Sequence, residues 1–198
     1  MKNKFVKICG LTNYEDALSA HKLGADYLGF ILVPGAKRAV AREEFERIDF
    51  GEKVGVFVDA PIDFVLSFNL DVIQLHGSES EEYVETLCEK TSAEIWKALP
   101  VVDQKSFEFA KENYKDLTLL VDGEKGGRAC DRTLAAELSK TRPVILAGGL
   151  TPENVAEAIK LVKPLGVDAA SGVEASGDPR KKDEYKIKTF IEEARKNL

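Results

Sequence analysis

The sequence is poor in the side chains that build disulfide networks and zinc sites. Its 198 residues include three cysteines and two histidines. Cys9, Cys88 and Cys130 are odd in number, and their spacing does not match that of metal-ligand clusters. We therefore expect free thiols, with neither a disulfide framework nor a Cys/His zinc site.

Long apolar runs are also missing from the chain. No stretch approaches the ~20 consecutive apolar residues that cross a bilayer. The segment MKNKFVKIC at the amino terminus lacks the apolar block and the small-residue cleavage site of a signal peptide. These two features predict a cytoplasmic protein without a membrane partner.

An excess of positive charge is absent as well, because the formal net charge is −6. We therefore expect no nucleic-acid partner, although a local positive pocket for a small anion is compatible with this charge. No linker-like segment divides the chain, so we expect one domain over residues 1–198. The predicted helices show no self-complementary exposed face, and the sequence leaves the oligomeric state open.

What the sequence does contain is a regular alternation of short β-branched runs and helical patterns. This alternation indicates parallel strands, and eight such units in 198 residues predict a closed (β/α)8 TIM barrel. An open doubly wound sheet is the alternative, but no GxGxxG motif follows the first strand. The eight strand candidates are FVKICG, DYLGFIL, KVGVFVD, VIQLHG, AEIWKALP, LTLLVDG, PVILAGGL and VDAASGV.

Several helix starts agree with this organisation. The stretches from Thr12 to Glu15 and from Ser78 to Glu81 have the pattern of capping boxes, and Thr151 precedes a proline at a predicted first helical position. We therefore expect helices to begin directly after these residues. The second and sixth units contain only the short helical segments AREEFERI and TLAAELS.

The end of the first strand, KICG, provides a candidate base. Because side chains alternate along a strand, Lys7 and Cys9 point to one side, and Val6 and Ile8 point to the other, toward the helices. Lys7 then lies inside the barrel and Cys9 at its mouth, where a nearby cation would favour the thiolate. The alternative is that Cys9 is a small buried packing residue.

The sixth strand ends on Asp122, a candidate acid. Burial or a neighbouring charge can raise the pKa of such a carboxyl group and make it a general acid, whereas a helix cap is the alternative role. In a closed ring the first and sixth strands are three steps apart, so Cys9 and Asp122 can face each other across the mouth. An acid and a base without a metal or nucleotide motif predict a proton-transfer isomerase or lyase.

Three further segments predict ligand contacts at the strand ends. The glycines in LAGGLTPENV and AASGVE expose backbone N–H groups in the two loops that often bind phosphate in barrels, so we expect a phosphorylated small-molecule substrate. Lys37 and Arg38 follow the second strand, where an arginine can bind a carboxylate in two places or form part of a solvated surface pair. His76 either contacts the substrate or caps the next loop.

Taken in order, seven segments resemble the phosphoribosylanthranilate isomerase family of tryptophan biosynthesis. The resemblance runs from about Lys7 to the last helix. It implies a (β/α)8 barrel that converts N-(5′-phosphoribosyl)anthranilate to 1-(2-carboxyphenylamino)-1-deoxyribulose 5-phosphate, without a metal or an organic cofactor. The segments are KICGLTNYEDA, GADYLGFILVPGAKR, VGVFVD, VIQLHG, LLVDG followed by GG, LAGGLTPENV and VDAASGVEASGDPRKKD.

The resemblance also implies roles for individual residues. Cys9 corresponds to the general base of the family and Asp122 to its general acid. Arg38 would bind the anthranilate carboxylate. The phosphate would be bound by the backbone around Gly148, Gly149, Ser171 and Gly172. Further substrate-binding positions are Lys7, Gln74, His76 and Asp168, and we expect Lys7 to pair with Asp168.

One segment departs from the family pattern. The family has a longer loop after the acid, with a sequence like GSGxxFDW, whereas this chain has DGEKGGRACDR. Gly126 and Gly127 remain, but Cys130 stands where an aromatic residue is expected and Arg132 where a tryptophan is expected. The resemblance therefore does not predict the geometry of the loop that covers the substrate. We interpret Cys130 as a packing residue, with an oxidation site as the alternative.

Two other functions are compatible with a phosphosugar-binding barrel. The first is a different phosphosugar enzyme, but a metal-dependent epimerase would use more histidines than the two present, and an indole-forming synthase would use a lysine and glutamates at its strand ends. The second is a non-catalytic phosphosugar-binding barrel. The presence of both proton-transfer candidates argues against this second alternative.

Overall fold

The computed structural model describes residues 4–123 and 129–198. Its eight parallel strands close into a barrel, because each strand pairs with the next and the eighth pairs with the first. The predicted (β/α)8 TIM barrel is thereby confirmed, and the open doubly wound sheet is excluded. The strands are β1 (Phe5–Ile8), β2 (Tyr27–Ile31), β3 (Glu52–Phe57), β4 (Val72–Leu75), β5 (Glu94–Pro100), β6 (Thr118–Asp122), β7 (Val144–Leu146) and β8 (Gly166–Ala169).

A helix follows each of the eight strands, and the first seven helices lie in the crossovers that parallel pairing requires. The second unit has a short helix of five residues, as predicted, and the third unit has one of the same length. Within the described ranges, no helix is both long and apolar enough to cross a membrane. The helices are α1 (Tyr14–Lys22), α2 (Arg42–Glu46), α3 (Ile62–Leu66), α4 (Glu81–Cys88), α5 (Gln104–Glu112), α6 (Arg132–Ser139), α7 (Val155–Val162) and α8 (Glu184–Asn197).

One apolar layer lies between the strands and the helices, and a second fills the inside of the barrel. Val6 and Ile8 pack with the helices outside the barrel, as the alternation along β1 predicts. Inside, Phe5, Tyr27 and Trp96 belong to a separate cluster, and the rings of Phe5 and Trp96 stack with centroids 5.5 Å apart. The barrel therefore has an apolar floor near the amino-terminal ends of its strands, which leaves its other end for polar chemistry.

The cap of α1 differs from the predicted one. Asn13 Oδ1, and not a Thr12 oxygen, accepts the N–H of Asp16 at 2.8 Å. Thr12 Oγ1 instead donates to the carbonyl oxygen of Arg180, 2.5 Å away and 168 residues later in the chain. A tertiary hydrogen bond has taken the side chain that local sequence would assign to the helix.

The other two predicted caps are also displaced toward the carboxyl end. Ser80 caps α4 by accepting the N–H of Tyr83. The N–H of Ser78, which a capping box would bond to Glu81, instead donates to Asp59 Oδ1 at 2.6 Å. The helix α7 begins only at Val155, since a turn over residues 152–154 precedes it.

The eighth predicted strand is shorter in the structure than in the sequence pattern. It ends at Ala169, and a short 3₁₀ turn at Ser171–Val173 leads into an antiparallel hairpin of β9 (Glu174–Ala175) and β10 (Asp178–Lys182). Arg180 binds this hairpin to the loop after β2 by donating to the carbonyl oxygen of Ala39 at 3.0 Å. The hairpin thus lies against the mouth of the barrel.

Candidate active site

Lys7 and Asp168 form a buried ion pair inside the barrel. They are register partners on β1 and β8, and Lys7 Nζ lies 3.0 Å from Asp168 Oδ1. The predicted pairing is therefore present. Burial alone would lower the pKa of Lys7, but the charges of Asp168 and Cys9 outweigh it and raise the pKa, so Lys7 is a cation.

Cys9 follows β1 and is buried at the mouth, 6% exposed. Its N–H donates to the carbonyl oxygen of Ala169 at 2.8 Å, and a Cβ atom on Gly29 would lie 2.8 Å from its Sγ. Burial raises the pKa of the thiol and outweighs the opposing charge of Lys7. The expected cation is thus beside Cys9, but the expected lowering of the thiol pKa is not found, because burial is the larger effect.

Asp122 is the last residue of β6 and also lies at the mouth. Its Oδ1 accepts the N–H of Gly123 at 2.6 Å, and its Oδ2 is 3.8 Å from His76 Nε2. Burial raises the pKa of the Asp122 carboxyl despite that hydrogen bond and the charge of Lys7. The helix-cap alternative does not apply, since Asp131 is the cap of α6.

Gln74 and His76 extend the polar surface from the end of β4 toward Asp122. Gln74 Nε2 and His76 Nδ1 are 3.0 Å apart. Gln74 Oε1 is buried and has no hydrogen-bond partner within the described residues. A cavity of about 210 Å³ borders His76, Asp122 and Gly123, so the side chains of His76 and Asp122 are accessible to a small molecule.

The two predicted phosphate loops touch each other beside Asp122. Gly148 and Gly149 have φ values of 81° and 67°, which side chains other than glycine rarely adopt. A Cβ atom on Gly148 would lie 2.8 Å from Asp122 Oδ1, and one on Gly172 would lie 1.9 Å from the carbonyl oxygen of Leu150. Ser171 begins the 3₁₀ turn that carries Gly172. The backbone of both loops is therefore next to the acid.

Arg38 lies on the loop after β2 and reaches the same mouth. Its Nε donates to Glu174 Oε1 at 2.5 Å, and a Cβ atom on Gly10 would lie 2.9 Å from its Cδ. Lys37 is exposed, in contrast. Of the two adjacent cations, the structure therefore brings only Arg38 to the residues around Cys9.

The sequence did not identify two charged residues at this mouth, Lys182 and Glu174. Lys182 Nζ donates to the carbonyl oxygen of Ala170 at 2.9 Å and lies 3.7 Å from Glu174 Oε1. Lys182 belongs to the charge run RKKD, which in sequence resembles a solvated surface. Its position eight residues after the end of the SGVE segment was a weak signal. In the structure Lys182 is buried, whereas the neighbouring Lys181 is exposed.

The shortened segment after Asp122 is described only in part. Gly126 and Gly127 lie outside the described residues. Cys130 is half-buried and packs against the outer apolar layer, as interpreted from the sequence. Burial, with the charges of Asp122 and Asp131, raises the pKa of its thiol to about 12, which disfavours the reactive thiolate and the oxidation-site alternative. Arg132 is the first residue of α6.

No group of three or more His, Cys, Asp or Glu side chains in residues 4–123 and 129–198 is arranged to hold a metal ion. What the mouth brings together is a buried thiol, a carboxyl group with a raised pKa, an internal lysine, an arginine and two glycine-rich loops. These groups can bind an anion and transfer protons to and from it.

Comparison with known proteins agrees with this geometry. The family model described as N-(5′-phosphoribosyl)anthranilate (PRA) isomerase matches residues 6–193. An N-(5′-phosphoribosyl)anthranilate isomerase from Caldanaerobacter subterraneus subsp. tengcongensis is 39% identical over 96% of this chain and 97% of its own length. One from Geotalea daltonii is 40% identical over 98% and 97%.

Solved structures show the same similarity. Phosphoribosyl anthranilate isomerase from Thermotoga maritima superposes with a TM-score of 0.87 at 36% identity, over 98% of this chain and 99% of that one. A phosphoribosyl anthranilate isomerase in complex with reduced 1-(o-carboxyphenylamino)-1-deoxyribulose 5-phosphate has a TM-score of 0.85 at 36% identity, with the same coverage. The chain belongs to the N-(5′-phosphoribosyl)anthranilate isomerase family.

Proposed function

We propose that this chain converts N-(5′-phosphoribosyl)anthranilate to 1-(2-carboxyphenylamino)-1-deoxyribulose 5-phosphate in tryptophan biosynthesis, with Asp122 as general acid and Cys9 as general base. One observation carries the assignment of roles. In a barrel of this isomerase family, a buried thiol and a carboxyl group with a raised pKa lie at the same mouth, on strands three positions apart in the closed ring.

The first step is opening of the ribose ring. Asp122 gives its proton to the ring oxygen while the anthranilate nitrogen pushes its lone pair toward C1′, so that the C1′–O bond breaks and a Schiff base forms. Burial raises the pKa of Asp122 and therefore keeps the proton on this carboxyl to a higher pH than usual. The N–H of Gly123, already bonded to Oδ1, then stabilises the carboxylate that remains.

The second step is removal of the proton from C2′. The thiolate of Cys9 takes this proton and the electron pair moves toward nitrogen to give an enolamine, which tautomerises to the ketone. Burial makes the thiolate scarce but strongly basic, because the same desolvation that raises the pKa of the thiol increases its affinity for a proton. Lys7, held by Asp168, places a positive charge beside it.

Substrate binding follows from the charges around these two groups. Arg38 binds the anthranilate carboxylate through its terminal guanidinium nitrogens, because Glu174 already occupies Nε. Gln74 and His76 contact the sugar at the mouth, and Gln74 Oε1 accepts a hydrogen bond from a sugar hydroxyl. The backbone around Gly148, Gly149, Ser171 and Gly172 binds the phosphate.

The proposal also includes the domain organisation, the cellular compartment, the ligand and the cofactor requirement. The chain works as one domain over residues 1–198, in the cytoplasm, with a phosphorylated small molecule as its ligand and without a cofactor. Two proton-transfer groups are sufficient for both steps, since no electron leaves the substrate and no bond to a new group forms.

Loss of anthranilate-type fluorescence tests the proposal. Purified protein is mixed with freshly made N-(5′-phosphoribosyl)anthranilate, beside Cys9→Ala, Asp122→Ala and the matched control Cys88→Ala, which removes an exposed thiol on α4. We expect turnover by the parent and the control, and a decrease of kcat by at least ~10²-fold in the two site variants. Circular dichroism establishes that the variants are folded.

Each possible failure has a different meaning. A folded parent that does not consume the substrate but binds it would support the non-catalytic phosphosugar-binding barrel. Full activity in Cys9→Ala or Asp122→Ala would leave the reaction in place and remove the assigned base or acid.

A further inference from the structure

Lys182 is a buried lysine on the hairpin that lies against the mouth of the barrel. Its side chain is 1% exposed, and its Nζ donates to the carbonyl oxygen of Ala170 at 2.9 Å. Its backbone N–H donates to Asp16 Oδ2 at 2.8 Å, so the residue is held at both ends. Burying an ammonium group is costly unless nearby groups compensate for its charge.

This ammonium group lies next to the end of β1. A Cβ atom on Gly10 would be 3.5 Å from Lys182 Nζ, and Gly10 directly follows Cys9. The N–H of Cys9 binds the carbonyl oxygen of Ala169 at 2.8 Å, while Lys182 binds that of Ala170. Consecutive carbonyl groups at the end of β8 thus hold the thiol residue and the lysine side by side.

Within residues 4–123 and 129–198, the charges that face these two groups come from five elements. Lys7 on β1 and Asp168 on β8 face Cys9, together with Lys182 on β10. Burial lowers the pKa of Lys182. The negative charges of Cys9, of Glu174 on β9 and of Asp168 oppose this fall, whereas Arg38 on the loop after β2 adds to it. Lys7, Lys182 and Arg38 carry three positive charges. Asp168 and Glu174 carry two negative charges when they are ionised, and a thiolate on Cys9 balances the remaining positive charge.

We propose that Lys182 is a positioning residue that acts through Cys9, because its ammonium group stabilises the thiolate that removes the C2′ proton. The inference deepens the proposed function and rests on it. Burial raises the pKa of the Cys9 thiol, and the charge of Lys182 opposes that rise. Lys7 is already shared with Asp168, so a second cation adds to the stabilisation.

Alkylation of Cys9 by iodoacetamide tests this inference without the isomerase substrate, because the thiolate is the reactive form. Parent and Lys182→Met proteins are treated at mildly alkaline pH, and labelling of the Cys9 peptide is followed by mass spectrometry. The exposed Cys88 in the same sample is the internal reference. An opposite charge lowers the pKa of a thiol, and the charge of Lys182 acts beside the larger effect of Lys7, so we expect the Cys9 rate to fall severalfold in Lys182→Met.

The direction of the change separates charge from packing. Loosened packing would expose the thiol and speed its alkylation, whereas loss of the cation slows it. Lys182→Arg keeps the charge and should retain most of the parent rate, and Lys181→Met, at an exposed position of the same strand, should react like the parent.

A Cys9 rate in Lys182→Met that equals or exceeds the parent rate overturns the inference, and so does a Lys182→Arg rate as low as that of Lys182→Met. Lys182→Gln, which keeps a donor for Ala170, decides in the same way if the methionine variant does not fold. Slow alkylation in a protein that lacks isomerase activity would support the role of Lys182 and contradict the proposed function. If the parent is an active isomerase and the Cys9 rate is the same in Lys182→Met, the role of Lys182 is contradicted and the proposed function is not.

Discussion

Glu79 and Lys97 form a buried ion pair behind the mouth of the barrel. Lys97 Nζ donates to Glu79 Oε2 at 2.8 Å, and both side chains are 1% exposed. Both residues also bind Gly77: Glu79 Oε2 accepts its N–H at 3.0 Å, and Lys97 donates to its carbonyl oxygen at 2.7 Å. Because Gly77 follows His76, the pair holds the loop that faces Asp122.

Removing the carboxylate of this pair should be strongly destabilising. Glu79→Ala leaves the ammonium group of Lys97 buried without its counter-charge, and we expect a loss of about 3–5 kcal/mol in the free energy of unfolding. Urea denaturation measures it. The matched control is Glu112→Ala, which breaks an exposed pair with Lys115 and should change stability little. Equal effects of the two substitutions would show that the buried pair does not stabilise the fold.

Gly172→Ala should damage phosphate binding through a steric clash. The new Cβ atom would lie 1.9 Å from the carbonyl oxygen of Leu150, so the loops after β7 and β8 must move apart. We expect KM to rise about tenfold or more, as loss of ~1.4 kcal/mol of binding implies. Gly177→Ala is the control, because it introduces only the backbone strain of a positive φ at an open position. A parent-like KM in Gly172→Ala would place the phosphate elsewhere.

Arg38→Lys should impair binding of the anthranilate carboxylate while it keeps the positive charge. A lysine cannot bond Glu174 through one nitrogen and the carboxylate through two others. We expect KM to rise at least about tenfold, with a smaller change in kcat. Steady-state kinetics measure both constants, and Arg42→Lys, at an exposed ion pair on α2, is the control. An unchanged KM would mean that another group binds the carboxylate.

Asp122→Asn should make the protein more stable near neutral pH. Burial raises the pKa of Asp122 above its ordinary value of 3.8, so the native state keeps this proton to a higher pH than the unfolded state does. The parent therefore loses stability as the pH rises from the unfolded pKa through the native pKa. Asparagine has no proton to lose and avoids this cost.

Thermal unfolding at two pH values checks the sign of this effect. The Tm advantage of Asp122→Asn should be present at neutral pH and should shrink below the ordinary pKa, where Asp122 is protonated in both states. A variant that is less stable than the parent at neutral pH, or an advantage independent of pH, would contradict it. The gain in stability should accompany the loss of activity, since the raised pKa serves the reaction.

Much of the barrel could be predicted from local patterns. The alternation along β1 assigned Val6 and Ile8 to the outer layer and Lys7 to the interior, and the order of the eight units placed Lys7 beside Asp168. Helix starts were predicted less well. Thr12 has the chemistry of a cap, but its hydroxyl donates to the carbonyl oxygen of the distant Arg180. Ser80, and not Ser78, caps α4, and the backbone N–H of Ser78 is bonded to Asp59.

The sequence by itself determined the number and order of the βα units, the inward or outward direction of their side chains, and the family to which the chain belongs. These properties depend on residues close together in the chain and on the two-residue period of a strand. Only the tertiary structure decided that Lys182 is buried beside Cys9 and that Arg38 is bonded to Glu174. It also decided that burial raises the pKa of Cys9 more than Lys7 lowers it. Burial and electrostatic energy are sums over neighbours from all parts of the chain, and those neighbours exist only once the barrel has closed.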